Sequence, residues 1–143
     1  MEPIILTDTT LRDGSHSVAH QFSADHIASI TKALDEAGVD IIELGHGDGL
    51  TGSTCNYGFS RVLDNEQVEI GVANARSARI AVLLIPGIGT VPDLQEVKAR
   101  GASVVRVATH VTEADISAEH IHAAKAMGFF TVGFLMMAHR ADK

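Results

Sequence analysis

Arg79-Ile80-Ala81-Val82-Leu83-Leu84-Ile85-Pro86-Gly87-Ile88-Gly89-Thr90, continued by Val91 to Arg100 and then Gly101, reads as one complete unit of fold. An aliphatic run forms a strand, Pro86-Gly87 breaks it, and a helical segment follows until Gly101 stops it. The unit recurs along the chain. Strands are expected at Ile4 to Leu6, Asp40 to Leu44, Arg79 to Ile85, Ser103 to Ala108 and Phe130 to Met136. The first helix starts near Ser23 as N-cap, carries Ile27, Ile30, Leu34 and Ala37 on one face, and ends at Gly38. Three more run from about Asn65 to Arg76, Val91 to Arg100, and Ile116 or Ser117 to Met127, the last stopped by Gly128. Right-handed βα crossovers make the sheet parallel.

Five parallel strands build either a doubly wound domain or the first part of a (β/α)8 barrel, and the polar residues discriminate. Arg12, Asp13 and His16 follow strand one, Gly45-His46-Gly47-Asp48-Gly49 follows strand two, and Pro86-Gly87 follows strand three. Thr109-His110 follows strand four and His139 follows strand five. Every strand delivers polar or turn chemistry at its carboxyl end, as barrel enzymes do, whereas an open sheet gathers such groups at one switch point. The fold class expected is therefore α/β, the N-terminal, roughly five-stranded part of a TIM barrel.

Composition narrows the class. The chain has 143 residues, 45% of them hydrophobic, enough to bury a core. With 18 acidic against 11 basic side chains the net charge is −7 and no basic stripe exists, which argues against nucleic acid. The longest apolar run, from Gly128 to Ala138, is about half of the roughly 20 residues that span a bilayer, and no basic segment precedes a cleavage site. A cytoplasmic location is the expectation. The single cysteine, Cys55, allows neither an internal disulfide nor a paired-cysteine metal site.

The chemistry concentrates where strand one ends. Thr9-Thr10-Leu11-Arg12-Asp13-Gly14-Ser15-His16 places a cation, a carboxylate and an imidazole on one loop. An arginine can neutralise an oxygen that becomes negative in a transition state, an aspartate can hold a hard divalent ion, and a histidine can move a proton near neutral pH. Arg-Asp-Gly alone is an ordinary turn. Other candidates read as structure. His120 and His122 lie two apart on a helix and point away from each other. Gly45 to Gly49 opens no helix directly, so it is a poor nucleotide cradle, and Gly87-Ile88-Gly89-Thr90 fits a tight βα turn. Cys55, Tyr57 and His110 have ordinary loop or pocket readings, and Asp8 supports the first loop.

Six segments taken in order carry a resemblance. They are Thr7 to His16, Glu43-Leu44-Gly45-His46-Gly47-Asp48-Gly49-Leu50, Asn56-Tyr57-Gly58-Phe59-Ser60, Leu84 to Thr90, Ala108 to Asp115, and Gly133-Phe134-Leu135-Met136-Met137. Together they resemble the 4-hydroxy-2-oxovalerate aldolase family, within the barrel metallolyases related to 3-hydroxy-3-methylglutaryl-CoA lyase and isopropylmalate synthase. Those wider relatives tend to carry glutamine where His16 stands, so Ser15-His16 favours the aldolase branch. The resemblance implies that Asp13 is a ligand of a divalent metal, commonly manganese, that Arg12 stabilises a pyruvate enolate, and that His16 is the general base. It places Leu83 and Ile85, two apart on one strand face, around the aldehyde's alkyl end, and Glu43 and His46 behind the active-site face. Ile85 stands where leucine is expected, which bears on chain-length preference.

The activity so implied is cleavage of 4-hydroxy-2-oxopentanoate to pyruvate and acetaldehyde in the breakdown of aromatic compounds. A small 4-hydroxy-2-oxo acid is the implied substrate, an acylating acetaldehyde dehydrogenase the implied partner, and a homo-oligomer the implied assembly. The family's two later histidine ligands and its late catalytic tyrosine find no counterpart, and His139-Arg140-Ala141-Asp142-Lys143 leaves the pattern. A barrel typically takes about 250 residues, so residues 1–143 are expected to be its N-terminal portion and inactive alone. Strand faces carrying Ile42, Val82, Leu84 and Val105 are expected to point into the barrel and lack partners. Two alternatives stand beside this reading: an acyl-CoA-condensing synthase of the isopropylmalate synthase type, and a non-catalytic half-barrel that acts by association.

Overall fold

A computed structural model describes residues 4–141. Five strands, β1 (Thr7–Asp8), β2 (Ile41–Leu44), β3 (Arg79–Leu84), β4 (Val104–His110) and β5 (Phe130–Met136), form one sheet in the order β1-β2-β3-β4-β5. Every neighbouring pair is parallel. The helices α1 (Ala24–Glu36), α2 (Asp64–Asn74), α3 (Val91–Ala99) and α4 (Ser117–Ala126) occupy the successive crossovers. Sequential order without reversal is barrel topology, since a doubly wound sheet reverses at its switch point. The result is a half-barrel, as the placement of polar residues predicts.

The helix ends follow local chemistry. Ser23 caps α1, its hydroxyl accepting from the His26 N–H at 3.2 Å, and Ala37 and Gly38 close the helix onto Ala33 and Asp35 carbonyls. Thr90 opens α3 with its N–H donated to Asp93 Oδ2 at 2.7 Å, and Pro92 fits the first turn, where no intrahelical N–H bond is lost. Some boundaries differ from the sequence reading. The first strand is Thr7–Asp8, not Ile4 to Leu6: Leu6 donates its N–H to Asp40 Oδ2 and accepts from the Ile41 N–H, so the chain is tied to β2 before regular pairing begins. Ile4 is 94% exposed. β4 runs on through Thr109 to His110, because β5 pairs with it along its whole length. Met1, Glu2, Pro3, Asp142 and Lys143 lie outside the described residues.

The two sheet faces divide the residues by character. Ile42, Leu44, Ile80, Val82, Leu84, Val105 and Val107 pack with Ile27, Val68, Leu94 and Ala124 of the helices into the main core. Ile42, Val82, Leu84 and Val105 are fully buried there, which corrects the expectation that they face the barrel interior unpartnered. The register explains it. Ile41, Glu43, Ala81, Leu83, Val104 and Arg106 alternate with those residues and share the opposite face. Ile41, Ala81 and Val104 form an apolar cluster on that face, and Glu43 and Arg106 bring charge to it beside Leu83.

Candidate active site

Glu43 and Arg106 stand at interior-facing positions of β2 and β4, separated by Leu83 of β3. Parallel register puts them level enough to meet. Arg106 donates from Nε to Glu43 Oε2 at 2.6 Å and from Nη2 to Oε1 at 3.0 Å. Arg12, from the loop after β1, donates from Nε to Glu43 Oε1 at 2.6 Å. One fully buried carboxylate thus accepts from two guanidinium groups, and the Asp13 carboxylate on Arg12 balances the second positive charge. Fork-shaped donors on a carboxylate fix orientation as well as charge.

Arg12 has two further acceptors. Its Nη1 donates to Asp13 Oδ1 at 2.9 Å and to the Gly47 carbonyl at 3.1 Å. The guanidinium is buried, whereas the Asp13 side chain is 64% exposed at the rim. Arg106 lies with its Cζ 4.4 Å above the Phe134 ring, a cation–π contact that holds the β5 side. Arg12, Asp13, His16, Leu83, Ile85 and Arg106 line one open cavity of about 430 Å³ at the carboxyl end of the strands. The cation, carboxylate and imidazole of the first loop and the Leu83–Ile85 face are thus brought together at one pocket.

Glu43 and His46 are both fully buried behind it. His46 accepts at Nδ1 from the Asp48 N–H at 3.0 Å, so its proton is on Nε2, which donates to the Gly58 carbonyl at 3.1 Å. Its ring stacks on His20 at 3.8 Å between centroids, and His16 stands edge-on to His20 at 4.9 Å. His20 lies below the ordinary histidine range because burial penalises its charged form and because His46 and His16 are adjacent. Ser15 donates its hydroxyl to the Arg12 carbonyl at 2.6 Å and accepts from His20 Nδ1 at 2.9 Å. A β-carbon at Gly47 would meet the His16 ring, so any larger residue there displaces that exposed side chain.

The loop after β2 is pinned from below. The buried Asp64 carboxylate accepts from the His46 N–H at 2.8 Å and the Thr51 N–H at 2.9 Å. Burial pushes its carboxyl above the usual range, and these two N–H donors partly oppose the shift. The group able to hold a metal ion among the described residues is His16, His20 and Asp48, and Asp13 is not part of it. His120 and His122 stay on α4 away from the cavity, as expected.

Sequence reasoning singled out neither Arg106, His20 nor Asp64. Arg106 had a legible signal. One arginine interrupts Val104-Val105-Arg106-Val107 as one glutamate interrupts Ile41-Ile42-Glu43-Leu44, and two opposite charges in otherwise apolar parallel strands seek each other. His20 and Asp64 carry no such mark, because His20 meets the His46 ring only in the fold and Asp64 accepts from backbone groups of another loop.

With the geometry in place, comparisons with known proteins can be weighed. A profile of the family described as HMGL-like matches residues 3–142. The chain is 55% identical over 139 residues to 4-hydroxy-2-oxovalerate aldolase 6 of Rhodococcus jostii, covering 97% of this chain and 39% of that protein. It is 57% identical over 136 residues to 4-hydroxy-2-oxovalerate aldolase of Geobacillus stearothermophilus, covering 95% and 40%. It is 52% identical over 139 residues to 4-hydroxy-2-oxohexanoate aldolase of Mycobacterium tuberculosis, covering 97% and 40%. The chain therefore spans about 40% of the length of these curated relatives. Among solved structures, the N-terminal domain of a candidate aldolase from Bacteroides vulgatus superposes with a TM-score of 0.78 at 19% identity, covering 96% of this chain and 46% of that one. The carboxyl transferase domain of Rhizobium etli pyruvate carboxylase with pyruvate and biocytin gives 0.75 at 15%, covering 99% and 27%. Identities this low speak for the fold alone.

Proposed function

The chain belongs to the HMGL-like family, and from that premise we propose that its cavity serves the metal-dependent cleavage of a 4-hydroxy-2-oxo acid, 4-hydroxy-2-oxopentanoate in the first instance, to pyruvate and an aldehyde. The observation that carries the reading is Arg12: a buried guanidinium, locked by Glu43 and Gly47, that lines the cavity beside an exposed carboxylate and an imidazole. Breaking the bond between C3 and C4 leaves an enolate. A fixed guanidinium stabilises that charge as it forms, without reorganising during the reaction.

His16 lines the same cavity and would take the proton from the C4 hydroxyl as the aldehyde departs. Leu83 and Ile85 supply an apolar wall for the aldehyde's alkyl end. The family is divalent-metal dependent, and Asp13 would be one protein ligand of that ion. Asp13 offers a hard carboxylate oxygen at the rim, the donor type that Mn2+ prefers. A bound divalent ion supplies Lewis acidity toward the substrate's keto oxygen. Glu43 holds Arg12, and His46 holds the Gly47–Gly49 turn, so neither is read as touching substrate.

In the longer protein of which residues 1–143 form the N-terminal barrel portion, the aldehyde would pass to an acylating dehydrogenase, in a cytoplasmic route of aromatic breakdown, with a homo-oligomer as the assembly. Among the described residues no helix is long and apolar enough to cross a membrane. Pyruvate release from 4-hydroxy-2-oxopentanoate, followed in that longer protein with Mn2+, tests the reading. Turnover supports it. Condensation of an acyl-CoA with a 2-oxo acid, and no pyruvate release, would replace it with a synthase.

A further inference from the structure

We propose that His16, His20 and Asp48 form a second divalent-cation site, separate from the Asp13 carboxylate and suited to a borderline ion such as Zn2+ or Co2+. One ring nitrogen of each histidine and one carboxylate oxygen of Asp48 lie within 4.8 Å of one another. Two imidazoles and a carboxylate, with a fourth position left to solvent, are a donor set that favours these ions over Mn2+. A tetrahedral site with bonds of about 2.1 Å needs donors about 3.4 Å apart, so closure takes side-chain movements on the order of 1 Å. His16 is exposed and Asp48 only half-buried, which leaves them free to make those movements.

His20 is the fixed member. Because the Ser15 hydroxyl already donates to the Arg12 carbonyl, it accepts the Nδ1 proton of His20, and the neutral ring offers its Nε2 lone pair; the Tyr57 backbone also lies against the ring, and an ion on Nε2 would replace that contact. A ligating histidine commonly has its other nitrogen committed in this way. Ala19 and His20 both sit at positive φ, 50° and 60°, a conformation that costs non-glycine residues and is retained where surrounding structure imposes it. His46 is a wall and not a ligand, since both its nitrogens are committed. Asp48 Oδ2 lies 3.5 Å from His46 Nδ1, an acceptor facing an acceptor, and its carboxylate takes no hydrogen bond among the described residues. A cation between the three donors resolves that contact.

An ion held there occupies the His16 nitrogen. If His16 is the base, as proposed above, Zn2+ at this site inhibits, whereas Mn2+ at Asp13 activates. Only that consequence rests on the aldolase reading; binding itself does not.

The test is a Co2+ titration of the purified full chain, read by visible ligand-field absorption, followed by displacement with Zn2+. The expected result is the intense spectrum of a four-coordinate ion, weakened at least about tenfold by Ser15→Ala, which removes the partner of His20 along with a hydroxyl bond to the Arg12 carbonyl and leaves all three ligands in place. Asp48→Asn and His20→Asn are expected to abolish it, and Asp13→Asn to leave it unchanged, with far-UV circular dichroism confirming that each variant is folded. Should His20→Asn fail to fold, Asp48→Asn decides, because its carboxylate supports no hydrogen bond. No Co2+ binding, a spectrum that survives Asp48→Asn, or a signal lost in Asp13→Asn alone would overturn the site while leaving the aldolase reading standing. Intact Co2+ binding together with no pyruvate release from the longer protein would do the reverse.

Discussion

Glu43 is a carboxylate whose charge matters to two guanidinium groups at once, and this decides what single substitutions should do. Glu43→Gln keeps the shape but removes the charge, leaving Arg12 and Arg106 close together in a buried setting. Breaking one side of a buried ionic cluster costs about 3–5 kcal/mol, so the midpoint of urea denaturation should fall sharply, and an unchanged midpoint would mean that solvent reaches the pair. Arg12→Lys tests orientation separately from charge. A point charge cannot reach Glu43, Asp13 and the Gly47 carbonyl together. In the longer active protein, turnover should drop by about 10²- to 10³-fold with little change in KM, as expected for a group that acts on charge developed only in the transition state. Near-normal turnover in Arg12→Lys would remove Arg12 from the chemistry. At this scale the sequence was readable in the gathering of Arg12, Asp13 and His16, which one short loop carries to one cavity. It was mute on His20, which folding stacks on His46, and on Asp64, which accepts from backbone groups of another loop.

Helices and loops are set against the strands by close approaches that composition does not reveal. On α2, a β-carbon at Gly71 would overlap Leu44 Cδ1 and press on Ile80 Cδ1, so the helix lies on β2 and β3 at a distance only glycine permits. Gly71→Val should therefore lose about 1–3 kcal/mol by overpacking, whereas a helix-propensity argument alone would have it stabilise. Thermal denaturation distinguishes the two signs. The hinge between α2 and β3 is held by Asp35 of α1, whose carboxylate accepts from Arg76, Ser77 and Ala78 N–H groups at 2.7–3.1 Å. Those donors hold its carboxyl below the usual range. The folded value lies below the unfolded one, so the contribution is complete above the ordinary aspartate range and is lost as pH falls through the folded value. The melting temperature should decline on acidification below about pH 4, and Asp35→Asn should flatten that decline. The helix count and the first cap were readable from Ser23, Gly38, Gly101 and Gly128, because caps and stops are local. The first strand was displaced to Thr7–Asp8 because a side chain on another element, Asp40, sets where pairing begins.

Across the molecule, the sequential strand order leaves β1 and β5 each hydrogen-bonded on one side only, and both margins are apolar. Ile4, Ile5 and Leu6 are exposed beside β1, and Phe130 and Leu135 are 45% exposed on β5. Barrel topology was readable because alternation and the polar strand ends are properties of the whole pattern. Which strand face turned inward was not, because Ile42 and Val82 are as apolar as an interior layer would need, and only the meeting of Glu43 with Arg106 shows that the charged face is the inner one. Unpaired parallel edges recruit other chains. Residues 1–143 alone should therefore elute as higher-order species and release no pyruvate, with or without Mn2+, since Asp13 is one carboxylate where tight divalent binding takes several oxygen donors. Supplying the part of the Geobacillus stearothermophilus relative that this chain does not cover, as a separate polypeptide, should pair both edges and yield a discrete complex with measurable turnover. A compact monomer that cleaves the substrate unaided would contradict the edge argument and the single-carboxylate argument together. A discrete complex without turnover would leave the edges correct and move the chemistry elsewhere.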